Sequence, residues 1–422
     1  MGDTMTSDAT TKDLPDEAAG ADADWLVEAT KRLVACPSGT PPGDTRAMTE
    51  EIVALIADLP GIEIERHPGA EHVMNLVLRL KGGKPGPRLV FNGHMDTFPL
   101  GNAAEWTADP TGEAREGKLY GLGVSDMKAG IAAILFALRR LAPIREQLAG
   151  ELVATFAGDE ETMGVLGSRL LLDTVPHAGG DVMISADAGS PRVLRFGEKG
   201  MIWMKLSASG RSAHAAHVHK GESALEKLID AIAALRAIRD LPVAAPQKVV
   251  EAIAAAGPVS EELSGAGESE VLGKVTVTFG TMSGGRLSNL VADHAEATAD
   301  VRIPVGISVA TIEAEILRIA AEHGVAVEIT RRYEASWTDP EHPVIGLLAR
   351  NVRKVLDIDP VLNMRVGASD ARHYRAAGVP TVVCGLTPVN MGAADEHVAI
   401  DELVALGRIY VLTAFDYLAG RP

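Results

Sequence analysis

A chain of 422 residues is too long for one ordinary hydrophobic core, so two domains are expected. With 46% apolar and 23% charged residues it has globular composition, and with only 4% aromatics its core must rest on Val, Ile, Leu and Ala. The formal net charge of -17 speaks against nucleic acid and anionic membrane as partners, because phosphates would be repelled.

Residues 1–23 are rich in Asp, Ala and Thr and read as a disordered tail, with no signal peptide and no anchor. No apolar stretch approaches the ~18 residues of a membrane span. Cys36 and Cys384 are too far apart in sequence to suggest a disulfide framework or a thiolate site. The expectation is a cytoplasmic protein. A first helix is expected from Asp24 to Ala35, then the loop "CPSGTPPGD" and the helix "RAMTEEIVALIADL". Strands follow near Ile62–Arg66, in "NLVLRL" and in the apolar run Leu89-Val90-Phe91. "SDMKAGIAAILFALRRLA" has helical periodicity, with Ser125 as its N-cap. "ELVATFAG" and "DVMISADAG" read as further strands, so strands alternate with helices, as in an α/β sheet covered on both faces.

From about Glu198 the order becomes βαββαβ, a ferredoxin-like α+β arrangement inserted into the larger α/β domain. The segment 241–269 within it is ambiguous and leaves room for a loop. After Arg332 the α/β pattern resumes, ending in a helix from about Ile400. The expected domains are therefore 24–198 with 333–422, carrying the site, and 199–332, a lid.

Polar residues gather where strands of the large domain end. The first ends in His94 and Asp96, the next in Asp159-Glu160-Glu161, a third in Asp187, while Asp126 opens the helix after "LYGLG". Ligands of open α/β sheets sit beyond the carboxyl ends of strands, so these side chains are placed to converge. Imidazole with carboxylates suits Zn²⁺ or Mn²⁺, and a spare carboxylate beside a ligand suits proton transfer. Taken singly, each signal has a bland reading. A lone "HMD" is more often a surface loop, a Glu-Glu pair is usually solvated, and "GLGVSD" lacks the Lys of a phosphate cradle. The shared topological position favours the metal.

The motifs "NGHMDTFP", "LYGLGVSDMKAG", "AGDEETMGVLGSR", "SADAG", "GRSAHAAHVHKGESALEKL", "SGGRLSNLVADHAEATADVRIP" and "VGASDARHY" resemble, in order, those of one family. It is the aminoacylase, acetylornithine deacetylase and succinyl-diaminopimelate desuccinylase family of metallopeptidases. The resemblance implies an α/β metal domain with an inserted ferredoxin-like lid, through which a homodimer forms. It implies that His94, Asp126 and Asp187 hold one metal, with Asp126 bridging to a second and Glu161 a ligand there. Glu160 would be the general base, and Asp96 would hydrogen-bond the other nitrogen of His94. His214 would stabilise the oxyanion, often from the partner subunit. Asn289, Arg302 and Arg372 would contact the substrate, commonly its carboxylate. Other readings stand beside these: His214, His217 and His219 as a separate metal cluster, or His217 and His219 as exposed loop residues; Arg302 paired with Asp300 or another lid carboxylate; and Arg372 as a helix-face charge.

One departure bears on the metal count. The family takes the second metal's last ligand from a His near the chain's end, and aligning Asp395-Glu396 puts Gly392 in its place. His397 is five residues on, at an expected helix start. One strong site and a second that is weak or absent follow. The function implied is metal-dependent C–N hydrolysis of a small carboxylate-bearing substrate, an N-acyl amino acid or dipeptide. An alternative is hydrolytic release of ammonia from an aromatic amino acid such as 5-nitroanthranilate. A third, of another class, is a non-catalytic binding relative.

Overall fold

The computed structural model describes residues 22–420. The expected tail lies outside them, save that Asp22 caps the first helix by accepting from Trp25 N at 3.1 Å. Two units make up the chain. The first comprises the residues up to Phe196 with 338–362 and 369–420, and the second comprises 197–337 with 363–368. Among the described residues no helix is long and apolar enough to cross a membrane.

The first unit is built on a mixed sheet. Six of its nine strands are β1 (Ile62–Pro68), β2 (Met74–Lys81), β3 (Lys84–His94), β6 (Ala149–Ala157), β7 (Val182–Ser185) and β15 (Thr381–Val383), consecutive in the order β1-β2-β6-β3-β7-β15. In a separate three-stranded sheet the short strand β5 (Lys118–Tyr120) pairs with β4 (Glu113–Arg115) on one side and β16 (His397–Ala399) on the other. From β6 to β15 the neighbours run parallel. Leu89–His94 and Val182–Ser185 are buried at every residue, the signature of strands covered on both faces. The covering helices include Ala23–Ala35, Ala129–Leu141 and Ile400–Leu418. Parallel strands all end on one side, so β3, β6 and β7 deliver their last residues to a common edge.

The second unit has β9 (Gly200–Ser209), β10 (Thr276–Gly284), β11 (His294–Ile303) and β12 (Val325–Tyr333) in antiparallel order β10-β11-β9-β12. Helices Ala224–Leu235 and Val309–Glu322 pack Leu228, Ala231, Ile312 and Ile316 against Ile202, Leu206 and Val301 of that sheet. The ambiguous 241–269 stretch holds the helix Gln247–Ser264, because Val249, Ile253, Ala256 and Ser260 recur at helical spacing and are buried, with loop before and after it. Two local expectations are corrected. Ser125 is no N-cap: it lies inside the π-turn Val124–Lys128 and spends its hydroxyl on Glu396. His397 begins β16 rather than a helix.

Candidate metal centre

Strand β3 is held by β6 and β7 along its length and delivers His94 as its last residue. The imidazole is 2% exposed. Its Nδ1 lies 2.9 Å from the main-chain oxygen of Asp96. A carbonyl only accepts, so Nδ1 carries the proton and Nε2 faces inward. Nε2 lies 3.0 Å from Asp126 Oδ1. With Nδ1–H already placed, that contact calls for a second proton or a cation. Asp187, two residues past β7, completes the group: one ligand atom from each of His94, Asp126 and Asp187 lies within 4.8 Å of the others. Among the described residues this is the only such gathering of three or more imidazoles, thiols or carboxylates, so His214, His217 and His219 form no second one. Those three rings instead meet edge-on at 6.2 and 5.8 Å.

Asp126 is positioned by a tightly built turn. Gly123 precedes it at φ +70°, and the Asp126–Met127 peptide is cis. A Cβ on Gly123 would meet Thr97 Cγ2 at 2.2 Å, so only glycine lets this turn pack on the loop that follows β3. Glu396, 1% exposed, fastens the turn from below. Its Oε2 accepts from Gly123 N at 3.0 Å, and its Oε1 accepts from Ser125 N at 2.9 Å and Ser125 Oγ at 2.7 Å.

Asp96 departs from expectation in detail. Its carboxylate Oδ1 stands 3.6 Å from His94 Nδ1, while its carbonyl makes the close contact. The carboxylate instead accepts from the main-chain N–H of Glu160 at 3.1 Å and of Glu161 at 3.0 Å. It clamps the turn Glu160–Thr162 that follows β6. The Glu160 side chain is 12% exposed, with Oε1 3.6 Å from Arg372 Nη1. Arg372 is buried and donates to Ser369 O at 2.5 Å and Met163 O at 2.7 Å, so it braces the wall behind Glu160 and is no helix-face charge. Glu161 Oε1 is buried with no hydrogen-bond partner.

Other expected residues lie elsewhere. His214, Asn289 and Arg302 belong to the second unit, where His214 and Asn289 are exposed. His214 Nδ1 accepts from Ala216 N at 3.1 Å. The Arg302 fork is closed on Asp300 at 2.8 and 2.9 Å, the plainer of its two readings. His397 stacks on Tyr120 with ring centres 4.8 Å apart, and its Nδ1 meets Asp395 O at 2.8 Å. Gly392 has the Phe98 ring against it: a Cβ there would stand 3.2 Å from Phe98 Cδ2.

The electrostatics ask for positive charge. Burial pushes Glu161 up to about 8, with Asp126, Asp96 and Asp187 adding to the shift and His94 opposing it. Burial likewise holds Glu160 well above its usual range against the pull of His94. For His94 burial opposes the charged ring, yet Asp126 and Asp96 hold it well above its usual value. Several carboxylates sharing one dry space with one imidazole form a ligand set for a divalent cation. In the sequence Glu396 shows only as half of the Asp395-Glu396 pair near the chain's end, because the groups it holds, Gly123 N and Ser125 N and Oγ, lie 273 and 271 residues away.

A parallel-edge His/Asp/Asp cluster with a glutamate pair beside it, on an α/β unit interrupted by a ferredoxin-like one, defines a two-unit metallohydrolase. Residues 90–416 match the model of the Peptidase family M20/M25/M40, and the chain belongs to that family. It is similar to the succinyl-diaminopimelate desuccinylase of Rhodospirillum centenum, 30% identical over 92% of this chain and 96% of that one. The same enzyme of Methylobacterium radiotolerans is 31% identical over 92% and 95%. Among solved structures, an M20 family metallo-carboxypeptidase from Sulfolobus solfataricus superposes with TM-score 0.76 at 16% identity, covering 94% of this chain and 99% of that one. The aminopeptidase PepT of Bacillus cereus gives 0.73 at 22% identity, covering 94% and 99%. This chain is a metal-dependent hydrolase acting on C–N bonds.

Proposed function

We propose that the chain hydrolyses the amide bond of an N-acyl amino acid or dipeptide. The observation that carries this is the buried His94–Asp126–Asp187 gathering with Glu160 beside it. His94, Asp126 and Asp187 hold a divalent cation, with Glu161 turned to the same space. Such a cation, when bound, polarises the carbonyl under attack and acidifies water. Zn²⁺ and Mn²⁺ both suit one imidazole with carboxylates. Glu160 takes the proton of the attacking water and returns it to the leaving nitrogen. Asp96 keeps Glu160 and Glu161 in place through their N–H groups, and Arg372 braces Glu160. His214 is assigned to the oxyanion, and Asn289 and Arg302 to the substrate, by resemblance to the family, as is dimerisation through the second unit. With Gly392 carrying no side chain and His397 stacked on Tyr120, we assign one tight metal per chain. The aromatic-deaminase and non-catalytic readings have no observation in their favour.

Replacing Glu160 by Gln tests the whole reading. The variant should lose at least about a thousandfold in kcat on N-acyl amino acids while keeping one tightly bound metal per chain. An unchanged rate removes Glu160 from the mechanism, and two ions surviving gel filtration overturn the single-metal assignment.

A further inference from the structure

Of the three side chains in the buried cluster, His94 ends a long strand and has the Asp96 carbonyl on its Nδ1. Asp126 lies on a turn fastened by Glu396. Asp187 lies two residues past the end of β7, in a segment that is neither helix nor strand. Its N–H makes a long local bond, to Ser185 Oγ at 3.3 Å. A carboxylate that must aim at a cation from such a segment needs its backbone fixed from elsewhere.

Residues 384–387, which follow β15, run against it. Cys384 N donates to Ser185 O at 2.9 Å and Gly189 N donates to Leu386 O at 2.9 Å, so Asp187 is bracketed on both sides. A Cβ on Gly385 would collide with the Asp187 carbonyl oxygen, so the two backbones pass in direct contact. This second segment is in turn tied to helix Ile400–Leu418 by Glu402, in the first turn of that helix. Glu402 Oε2 accepts from Thr387 N at 2.8 Å, and its Oε1 accepts from Thr387 Oγ1 at 2.7 Å. Thr387 Oγ1 also lies 2.8 Å from the buried Ser190 Oγ, three residues past Asp187. A hydroxyl has one proton and an ionised carboxylate only accepts, so Thr387 donates to Glu402 and Ser190 donates to Thr387. Arg192 N donates to Ser190 Oγ at 3.2 Å. The bonds run in one direction, set by the carboxylate at their end.

We infer that Glu402 is a positioning residue of the metal centre: through Thr387 and Ser190 it fixes the loop 186–190 and with it the aim of the Asp187 carboxylate. This rests on the reading above, in which Asp187 is a metal ligand. It gives Asp187 the kind of brace that Glu396 gives Asp126, so the helix Ile400–Leu418, far along the chain, helps to shape the site.

The full chain loaded with Co²⁺ tests this, because the visible absorption of bound Co²⁺ reports its ligand geometry. Thr387→Val keeps the shape and the N–H bond to Glu402 but removes the hydroxyl between Ser190 and Glu402. It should weaken Co²⁺ binding about tenfold in chelator competition and alter the spectrum at saturating Co²⁺. At saturating metal kcat should fall about tenfold, with KM within about twofold of wild type. Thr387→Ser should restore all of these. Glu402→Gln, which sets an NH₂ against one of the two Thr387 donors, should change them in the same direction as Thr387→Val. Wild-type affinity and spectrum in both Thr387→Val and Glu402→Gln, even with a lowered Tm, would make the bridge a structural tie alone and overturn the inference. If the wild-type chain binds no Co²⁺, the metal centre itself fails and takes the inference with it. If it binds Co²⁺ and cleaves no amide, the proposed reaction fails, while affinity and spectrum still decide the role of Glu402.

Discussion

At the scale of single residues, Asp96 divides its work between two oxygens. Its carbonyl fixes the His94 tautomer, and its carboxylate holds the N–H groups of Glu160 and Glu161. Asp96→Asn keeps the carbonyl but turns an NH₂ toward one of two donors. Metal affinity, measured by chelator competition, should change less than about tenfold, whereas kcat should fall about a hundredfold as Glu160 loses its position. The opposite pattern, a 10–100-fold loss of affinity with kcat per bound metal retained, would place the carboxylate on His94 after all. The sequence made the residues legible and left the atoms hidden. The rule that parallel strands end on one edge brings His94 and Asp187 together, while Asp126, on the turn Val124–Lys128, joins them as a ligand only through the family resemblance. Which oxygen of Asp96 does what depends on the path of the chain between residues 94 and 96, and no spacing encodes it. Arg302 and Asp300 share a face of one strand, so their pairing was legible as one of two readings.

At the scale of elements, the turn bearing Asp126 has little regular structure to hold it, since Asp126 and Met127 have non-helical φ/ψ. Its order comes from Glu396, which accepts three hydrogen bonds from Gly123 and Ser125. Glu396→Gln sets an amide donor against a main-chain donor in a buried site. Denaturant unfolding should show a loss of about 2 kcal/mol, and metal affinity should drop more than tenfold because Asp126 is no longer held. Wild-type affinity in a protein so destabilised would detach the Glu396 brace from the metal centre. Such long-range bonding explains what the sequence concealed. Apolar runs and their periods gave the strands and helices, but "SDMKAG" reads as a helix start because the period of the following Ala129–Leu141 runs on into it. Helix Gln247–Ser264 also runs through Gly257 and Pro258, with Pro258 exposed while Val249, Ile253, Ala256 and Ser260 are buried.

At the scale of the molecule, the two units draw stability from different sources. The second has its own core, with Ile202, Leu206, Leu228, Val301, Ile312 and Ile316 buried together. The first encloses acidic groups whose burial costs free energy until a cation offsets it. A ligand that binds only the folded state stabilises it by about 2.7 kcal/mol at a hundred times its Kd. For a unit of this size that corresponds to roughly 5–10 °C in Tm. Differential scanning calorimetry should therefore resolve two transitions, of which chelation with EDTA lowers one by about that amount and leaves the other in place, with metal restoring it. The chelator-sensitive transition should be the one that also falls in Glu396→Gln, since both changes act on the first unit. A single transition that moves as a whole would mean that the units unfold together, and the metal would then stabilise the entire chain. Two transitions with neither responding to chelation would mean that the acidic cluster holds no cation strongly enough to matter for the fold.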